Sequence, residues 1–151
     1  MNKPRVFLDA DVIFAGSAAP TEHSASNLIL QMGEIGLIDC ITSNQVTVEL
    51  ERNFEKKLSI KLPELRLIMS RSLRVVADPE PEELTPYMGQ ADTKDLPILV
   101  AALKNECKFL LTFNTKDYRP AKESEIIVQR PGDFVKRIRE MLAEMFEKPQ
   151  M

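Results

Sequence analysis

The chain has 151 residues, of which 44% are hydrophobic and 28% charged, and its net charge is −3 at neutral pH. That is enough chain for one domain with its own core, and it carries no general excess of positive charge with which to grip a polyanion. No apolar stretch approaches the roughly 20 residues that span a bilayer, and no signal-type apolar run follows Lys3 and Arg5, so the sequence predicts a cytoplasmic protein with no membrane association.

The first element centres on Val6-Phe7-Leu8-Asp9-Ala10-Asp11-Val12-Ile13-Phe14, apolar on both flanks with two carboxylates between. Residues 5–9 read as a buried strand. A buried strand does not hold an unpartnered carboxylate along its length, so Asp9 is expected at its C-terminal end. In open α/β sheets that end is where ligands bind. Gly16, Ser17 and Pro20 mark a loop. Leu28, Ile29, Met32 and Ile35 recur at helical spacing over about 24–36, with Ser24 as N-cap and Gly36 as stop. Residues 37–41 read as a second strand. Thr42, Ser43 and Asn44 then open a helix through about residue 58, on which Val46, Leu50, Phe54 and Leu58 share a face.

A further helix is predicted over 62–72 and a third strand over 74–77. The proline-rich, acidic segment 78–92 reads as loop with one helical turn. Pro97 places the next helix at 95–104, because proline fits only its first turn. Strands at 108–112 and 125–128 follow, then an amphipathic helix from Pro131 with Phe134, Ile138, Met141, Leu142 and Met145 on one side. The pattern predicts a single domain over 1–148, with 149–151 frayed. Strands alternating with helices imply a three-layer α/β/α fold around a mostly parallel, roughly five-stranded sheet. Cys40 and Cys107 read as buried free thiols, and the lone His23 leaves no histidine-rich metal site.

The acids fall at strand ends and helix starts. Asp9 closes the first strand, Glu49 lies on the helix after the second, Asp92 and Asp95 flank a helix start, and Asn114 and Asp117 follow Thr112. A parallel sheet can bring such positions to one edge. Carboxylates gathered there without Arg or Lys between them repel and shift one another's pKa, and a divalent cation relieves that repulsion. All-oxygen ligation suits Mg²⁺ or Mn²⁺, and such a cation activates water and stabilises charge on a phosphoryl oxygen.

Each acid also has a plainer reading. Asp95 suits a helix N-cap. Glu49 suits an exposed helix face, paired with Arg52. Asp117 suits a turn, and Thr112 is an ordinary strand residue. Asp9 is the hardest to explain without a function, because it interrupts an apolar strand. Arg52, Lys56, Lys57 and Lys61 form the nearest basic group, which serves either as a nucleic-acid contact or as a solvated face. Met69, Met88, Met141 and Met145 read by default as core packing.

Taken in order, Val6–Ile13, Ser43–Leu50, Asp92–Leu103 and Phe109–Tyr118 resemble the PIN domain family, which includes VapC-like ribonuclease toxins; the resemblance spans about residues 5–130. It implies a Mg²⁺- or Mn²⁺-dependent endoribonuclease, a hydrolase of RNA phosphodiesters, and the toxin component of a toxin–antitoxin pair. Carried over by position, Asp9, Glu49, Asp95 and Asp117 are the catalytic acids. Asp9, Asp95 and Asp117 hold the metal, and Glu49 positions or deprotonates water. Asp11, Asp92, Thr112 and Asn114 support them, with Asn114 standing where many members carry an acid. The backbone grip that an acidic site cannot supply is expected from the basic group, at Arg52, Lys56 and Lys57. The implied partners are RNA, an antitoxin protein and a second copy in a homodimer.

Two other readings are distinguishable. Asp9-Ala10-Asp11 after an apolar strand also resembles haloacid-dehalogenase-like phosphatases, but Ile13, the missing lysine and the missing late acidic pair argue against them. The other is a non-catalytic RNA- or protein-binding module on the same fold.

Overall fold

The computed structural model describes residues 3–147; the expected frayed end at 149–151 lies outside the described residues. Five strands form one sheet in the order β3-β2-β1-β4-β5. They are β1 (Arg5–Leu8), β2 (Asp39–Ser43), β3 (Arg74–Val76), β4 (Phe109–Leu111) and β5 (Ile127–Gln129). Every pairing is parallel. Helices flank the sheet to give the three-layer α/β/α architecture expected from the alternating pattern. They are α1 (Ala10–Ala18), α2 (Ser24–Glu34), α3 (Asn44–Lys57), α4 (Leu62–Ser72), α5 (Pro81–Leu84), α6 (Leu96–Lys104) and α7 (Pro131–Glu147).

The sheet's centre is its most apolar part. Val6, Phe7, Leu8, Leu110 and Leu111 are fully buried on β1 and β4. Strands buried on both faces read as continuous apolar runs, which is why these segments do not alternate. Around them Val46, Leu50 and Phe54 of α3, Leu99 and Val100 of α6 and Phe134 of α7 close the core. Each such Leu or Phe contributes roughly 1.5–3 kcal/mol by leaving water. Cys40 and Cys107 are free, buried thiols, and burial pushes each up to about 12.

Parallel pairing aligns all C-terminal strand ends on one edge. The ladder runs one step beyond the strands, where the Asp9 N–H bonds the Leu111 carbonyl and the Thr112 N–H bonds the Gln129 carbonyl, both at 3.0 Å. The chain leaves β1 toward β2 on one side and later returns to β4 on the other. This reversal is the switch point at which open α/β sheets form ligand crevices.

Several expected boundaries move. The loop expected around Gly16, Ser17 and Pro20 gives way to α1, which starts directly after Asp9 and runs through Ala18. Val12 and Ile13 are buried on this helix. Gly16 lets α1 meet α2, since a Cβ there would lie 2.9 Å from the Ser26 carbonyl carbon. Ser24 is not the cap of α2; His23 holds that position and makes no side-chain cap bond. Gly36 does stop the helix, with φ +83. The second and fifth strands begin two residues later than expected, at Asp39 and Ile127.

The methionines also correct an expectation. Met69 packs partly against the core, but Met88, Met141 and Met145 are exposed. On α7, Phe134 is fully buried and Ile138 partly so, while the same apolar stripe continues through Met141, Leu142, Met145 and Phe146 exposed to solvent. Among the described residues no helix is long and apolar enough to cross a membrane.

Candidate active site

Asp9 ends β1 and caps α1. Its Oδ1 accepts from the Ala10 N–H at 2.8 Å. Its Oδ2 accepts from the Thr112 hydroxyl at 3.0 Å and the Tyr118 hydroxyl at 2.9 Å. The carboxylate is therefore fixed in orientation by groups from three segments. Asp11, in the first turn of α1, accepts from the Phe113 N–H at 3.0 Å and from the Asn114 amide at 3.3 Å, both through Oδ2. Its Oδ1 is buried and has no partner among the described residues. Burial, then the Asp9 charge, raises the Asp11 carboxyl from 3.8 to about 6. Asn114 in turn donates its N–H to the Thr112 hydroxyl at 3.1 Å.

The other acids come from two loops clipped together. Ala91 and Tyr118 form an isolated antiparallel bridge. The Asp92 N–H donates to the Asp117 carbonyl at 2.9 Å, and the Arg119 N–H donates to the Gln90 carbonyl at 2.6 Å. This clip brings Asp92, Asp95 and Asp117 together, so that one carboxylate oxygen from each lies within 4.8 Å of the others. Asp95 sits at the N-cap of α6 but makes no side-chain cap bond. Its Oδ2 is buried and unpartnered among the described residues. Burial raises the Asp95 carboxyl from 3.8 to about 6, followed by the charge of Asp9; Lys94 opposes the rise, and Asp117 and Asp92 add to it.

A cap residue ordinarily spends its carboxylate on the helix N–H groups. Asp95 instead leaves an oxygen buried among neighbouring acids, an arrangement that costs free energy unless a cation or proton fills it. The donor set is entirely oxygen, which fits a hard divalent cation such as Mg²⁺ or Mn²⁺.

The expected acids occupy unequal positions. Asp92, given a supporting place in the sequence, stands inside the three-carboxylate group, whereas Asp9 stands outside it as the largest neighbouring charge on Asp95. Glu49 is exposed on α3. It borders a recess shared with Asp11 and a groove shared with Asp95. It forms no ion pair with Arg52 among the described residues; Glu51 instead pairs with Arg66 at 2.9 Å. Arg52, Lys56 and Lys94 line the groove that holds Glu49 and Asp95. Lys57 borders the recess beside Asp11, its amine 5.7 Å from the Phe14 ring centre. Lys61 lies in the short turn Ser59–Lys61, away from both concavities.

Tyr118 and Arg119 are further members of the site, without a sequence signal of their own. Arg119 does stand against the acids, pairing with Asp92 at 3.0 Å. Tyr118 is buried, and its hydroxyl pKa is raised by burial and then by Asp9 and Asp95. It therefore remains a proton donor to Asp9 at any working pH. The usable signal for it is borrowed from Asp117: an aromatic hydroxyl directly after that residue, in a segment already singled out for its acid.

A family model described as PIN domain matches residues 5–116. No curated protein matches the sequence significantly. Among solved structures, the fold is similar to VapBC2 from Rickettsia felis bound to a DNA fragment from its promoter. The identity is 16%, over 83% of this chain and 97% of that one, with a TM-score of 0.58. A second similar chain is VapC20 from Mycobacterium tuberculosis, a sarcin-ricin loop cleaving toxin, with 16% identity over 70% of this chain and 86% of that one and a TM-score of 0.49. At such identity the likeness to solved structures is one of fold alone, while the family rests on the match across β1, α3, α6 and β4. The chain belongs to the PIN domain family.

Proposed function

We propose that this protein is a divalent-metal-dependent endoribonuclease that hydrolyses RNA phosphodiesters, and the toxin of a toxin–antitoxin pair. The observation that carries this reading is the group Asp92, Asp95 and Asp117, within 4.8 Å and with an unpartnered buried oxygen on Asp95. Asp95 and Asp117 would hold the cation, with Asp9 and Asp92 completing the acidic set. When bound, a divalent cation supplies charge neutralisation for the acids and the scissile phosphate and lowers the pKa of water.

The chain's own groups do the rest. Thr112 and Tyr118 hold Asp9 in one rotamer, so its charge enters the site already oriented. The Phe113 N–H and Asn114 do the same for Asp11. Glu49, exposed at the groove, would accept the proton of an attacking water. Arg52, Lys56 and Lys94 bring RNA phosphates past an acidic centre that would otherwise repel them.

The test is cleavage of a mixed RNA pool in Mn²⁺, Mg²⁺ or EDTA by wild type and Asp9→Asn. Cutting that needs metal and is lost in the variant is expected. Equal cutting by the variant sinks the acidic mechanism.

The partner part of the reading rests on α7. Its overhanging stripe Met141, Leu142, Met145 and Phe146 follows three bases, Lys136, Arg137 and Arg139, and is interleaved with three acids, Glu140, Glu144 and Glu147. Antiparallel pairing with a second copy sets the basic half of one helix against the acidic half of the other, whereas parallel pairing sets like against like. We assign this face to a homodimer. Light scattering is expected to give a dimer that Met141→Glu/Met145→Glu converts to monomer; a monomeric wild type overturns the assignment. An antitoxin is proposed as a further partner by likeness to the VapBC2 assembly, and co-purification with the product of an adjacent gene tests it.

A further inference from the structure

Beside the acidic site, the N-termini of α2 and α7 open into one recess of 280 Å³. Ser24, Ala25 and Ser26 of α2 line it, together with Gly132 and Asp133 of α7. None of these five backbone N–H groups donates to a backbone carbonyl or side chain among the described residues; the first such bonds come from Asn27 and Phe134. Neither helix is short, at 11 and 17 residues. Each leaves its positive end unspent on a side-chain cap, since His23 caps nothing and Asp133 makes no bond back.

A second observation points the same way. Ser26, which lines the recess, is 1% exposed, and its hydroxyl has no hydrogen-bond partner among the described residues. A buried hydroxyl without a partner is costly, and something outside the protein that accepts a hydrogen bond relieves it. At the mouth, Arg130 is held in advance. Its Nη1 donates to the Phe113 carbonyl at 2.9 Å, and the guanidinium carbon lies 5.3 Å from the Phe113 ring centre. The remaining guanidinium N–H groups are left for a ligand.

The inventory is thus rich in donors: five N–H groups, a buried hydroxyl and a pinned guanidinium. Two carboxylates, Glu22 and Asp133, also line the recess and oppose an anion. Both are exposed, as are Arg130, Ser24 and Gly132; the one buried polar side chain of the lining is that of Ser26. Convergent N–H groups at helix starts recognise phosphate oxygens.

We infer that this recess is a phosphate-binding subsite, formed by Ser24–Ser26, Arg130 and Gly132–Asp133, which takes a backbone phosphate of the RNA flanking the one that is cut. The source of the phosphate rests on the ribonuclease reading; the chemistry of the recess does not. Continuity supports the assignment, because the Phe113 that pins Arg130 also donates its N–H to Asp11 at 3.0 Å. Phe113 thus borders both the recess and the Asp11 carboxylate. The Arg52 and Lys56 groove lies beside Asp95, so the two contacts hold the strand at separate points.

The test follows backbone amide resonances in EDTA, first with inorganic phosphate and then with a short oligoribonucleotide. Both probes are expected to shift the amides of residues 24–26, 132 and 133, with the oligonucleotide binding more than tenfold tighter than phosphate. Arg130→Ala and Ser26→Ala are expected to weaken both about five- to tenfold. Arg130→Ala should also lower the salt slope of oligonucleotide binding by about 0.7, one single-strand phosphate contact. Ser26→Ala keeps the test independent of folding, since it removes an unpartnered buried hydroxyl and should leave the melting temperature equal or higher. Unmoved amides with both probes overturn the subsite. Shifts with phosphate but not with oligonucleotide overturn its assignment to RNA. Oligonucleotide shifts that Arg130→Ala abolishes, in a protein that never cuts RNA, support the subsite and sink the ribonuclease reading alone.

Discussion

The Tyr118 hydroxyl donates to Oδ2 of Asp9 at 2.9 Å, joining the loop after β4 to the end of β1. Thr112 donates to the same oxygen at 3.0 Å. Neither donor can be replaced by water without giving the carboxylate rotational freedom. Tyr118→Phe keeps the ring in the core and deletes one bond to a charged acceptor. The expected cost in stability is about 1.5–3 kcal/mol at most, less where water enters. RNA cleavage is expected to fall roughly tenfold, with the change in kcat rather than KM, because the loss is one of positioning. Unchanged turnover with lowered stability would leave the hydroxyl a purely structural group.

Asp95 and Asp11 are both raised from 3.8 to about 6 without a cation. Between these values the folded protein holds protons that the unfolded chain has released. The metal-free protein therefore gains stability as pH falls from 7 toward 5, the reverse of a salt-bridged acid. After discounting for solvent screening, each group accounts for about 1 kcal/mol, or roughly 2–4 °C in melting temperature. Thermal melts in EDTA at pH 7 and pH 5 test this. A melting temperature that falls with acidification over that interval would contradict the crowded-acid picture.

Asp95→Asn removes the repulsion and the ligand together. At pH 7 in EDTA it is expected to melt higher than wild type, by a few degrees. On adding Mn²⁺ the wild type should rise and the variant should not, while cleavage disappears in the variant. A variant that is less stable in EDTA would show Asp95 to be chiefly a helix-start residue.

Arg52 and Lys56 line the groove that holds Glu49 and Asp95. Reversing both to Glu should weaken RNA binding at low salt at least tenfold and lower the salt slope by about 1.4, two single-strand contacts. Metal-induced stabilisation should persist, since neither residue touches the acids. Filter binding across a salt series gives the slope directly.

Gly33 lies where α2 crosses the sheet. A Cβ there would stand 2.7 Å from the Ser72 carbonyl oxygen and 2.9 Å from the Cys40 sulfur. Gly33→Ala should therefore cost about 1–3 kcal/mol in urea denaturation. Adding Cys40→Ala should recover only part of that, because the Ser72 contact is backbone.

Most of the fold was legible because periodicity and burial agree. Val6–Leu8 and Phe109–Leu111 are continuous apolar runs, and α4 falls at Leu62–Ser72 as its spacing predicts. The exceptions have local causes. Ala10–Ala18 was obscured because Gly16 reads as a turn, whereas its role is close helix contact. Ser24 reads as a cap, yet the helix start it marks is left free at the recess.

Apolar runs and one proline fix where elements stop, and so set Asp9 and Thr112 at strand ends and Asp95 and Asp117 in loops. Tertiary structure alone decided which acids meet. The Ala91–Tyr118 bridge folds Asp92 onto Asp95 and Asp117, and it aims Tyr118 at Asp9. Segments far apart in the chain converge there through hydrogen bonds between loops that carry no periodic signal. The same holds for the recess between α2 and α7, where two helix ends become neighbours only when both pack onto one sheet.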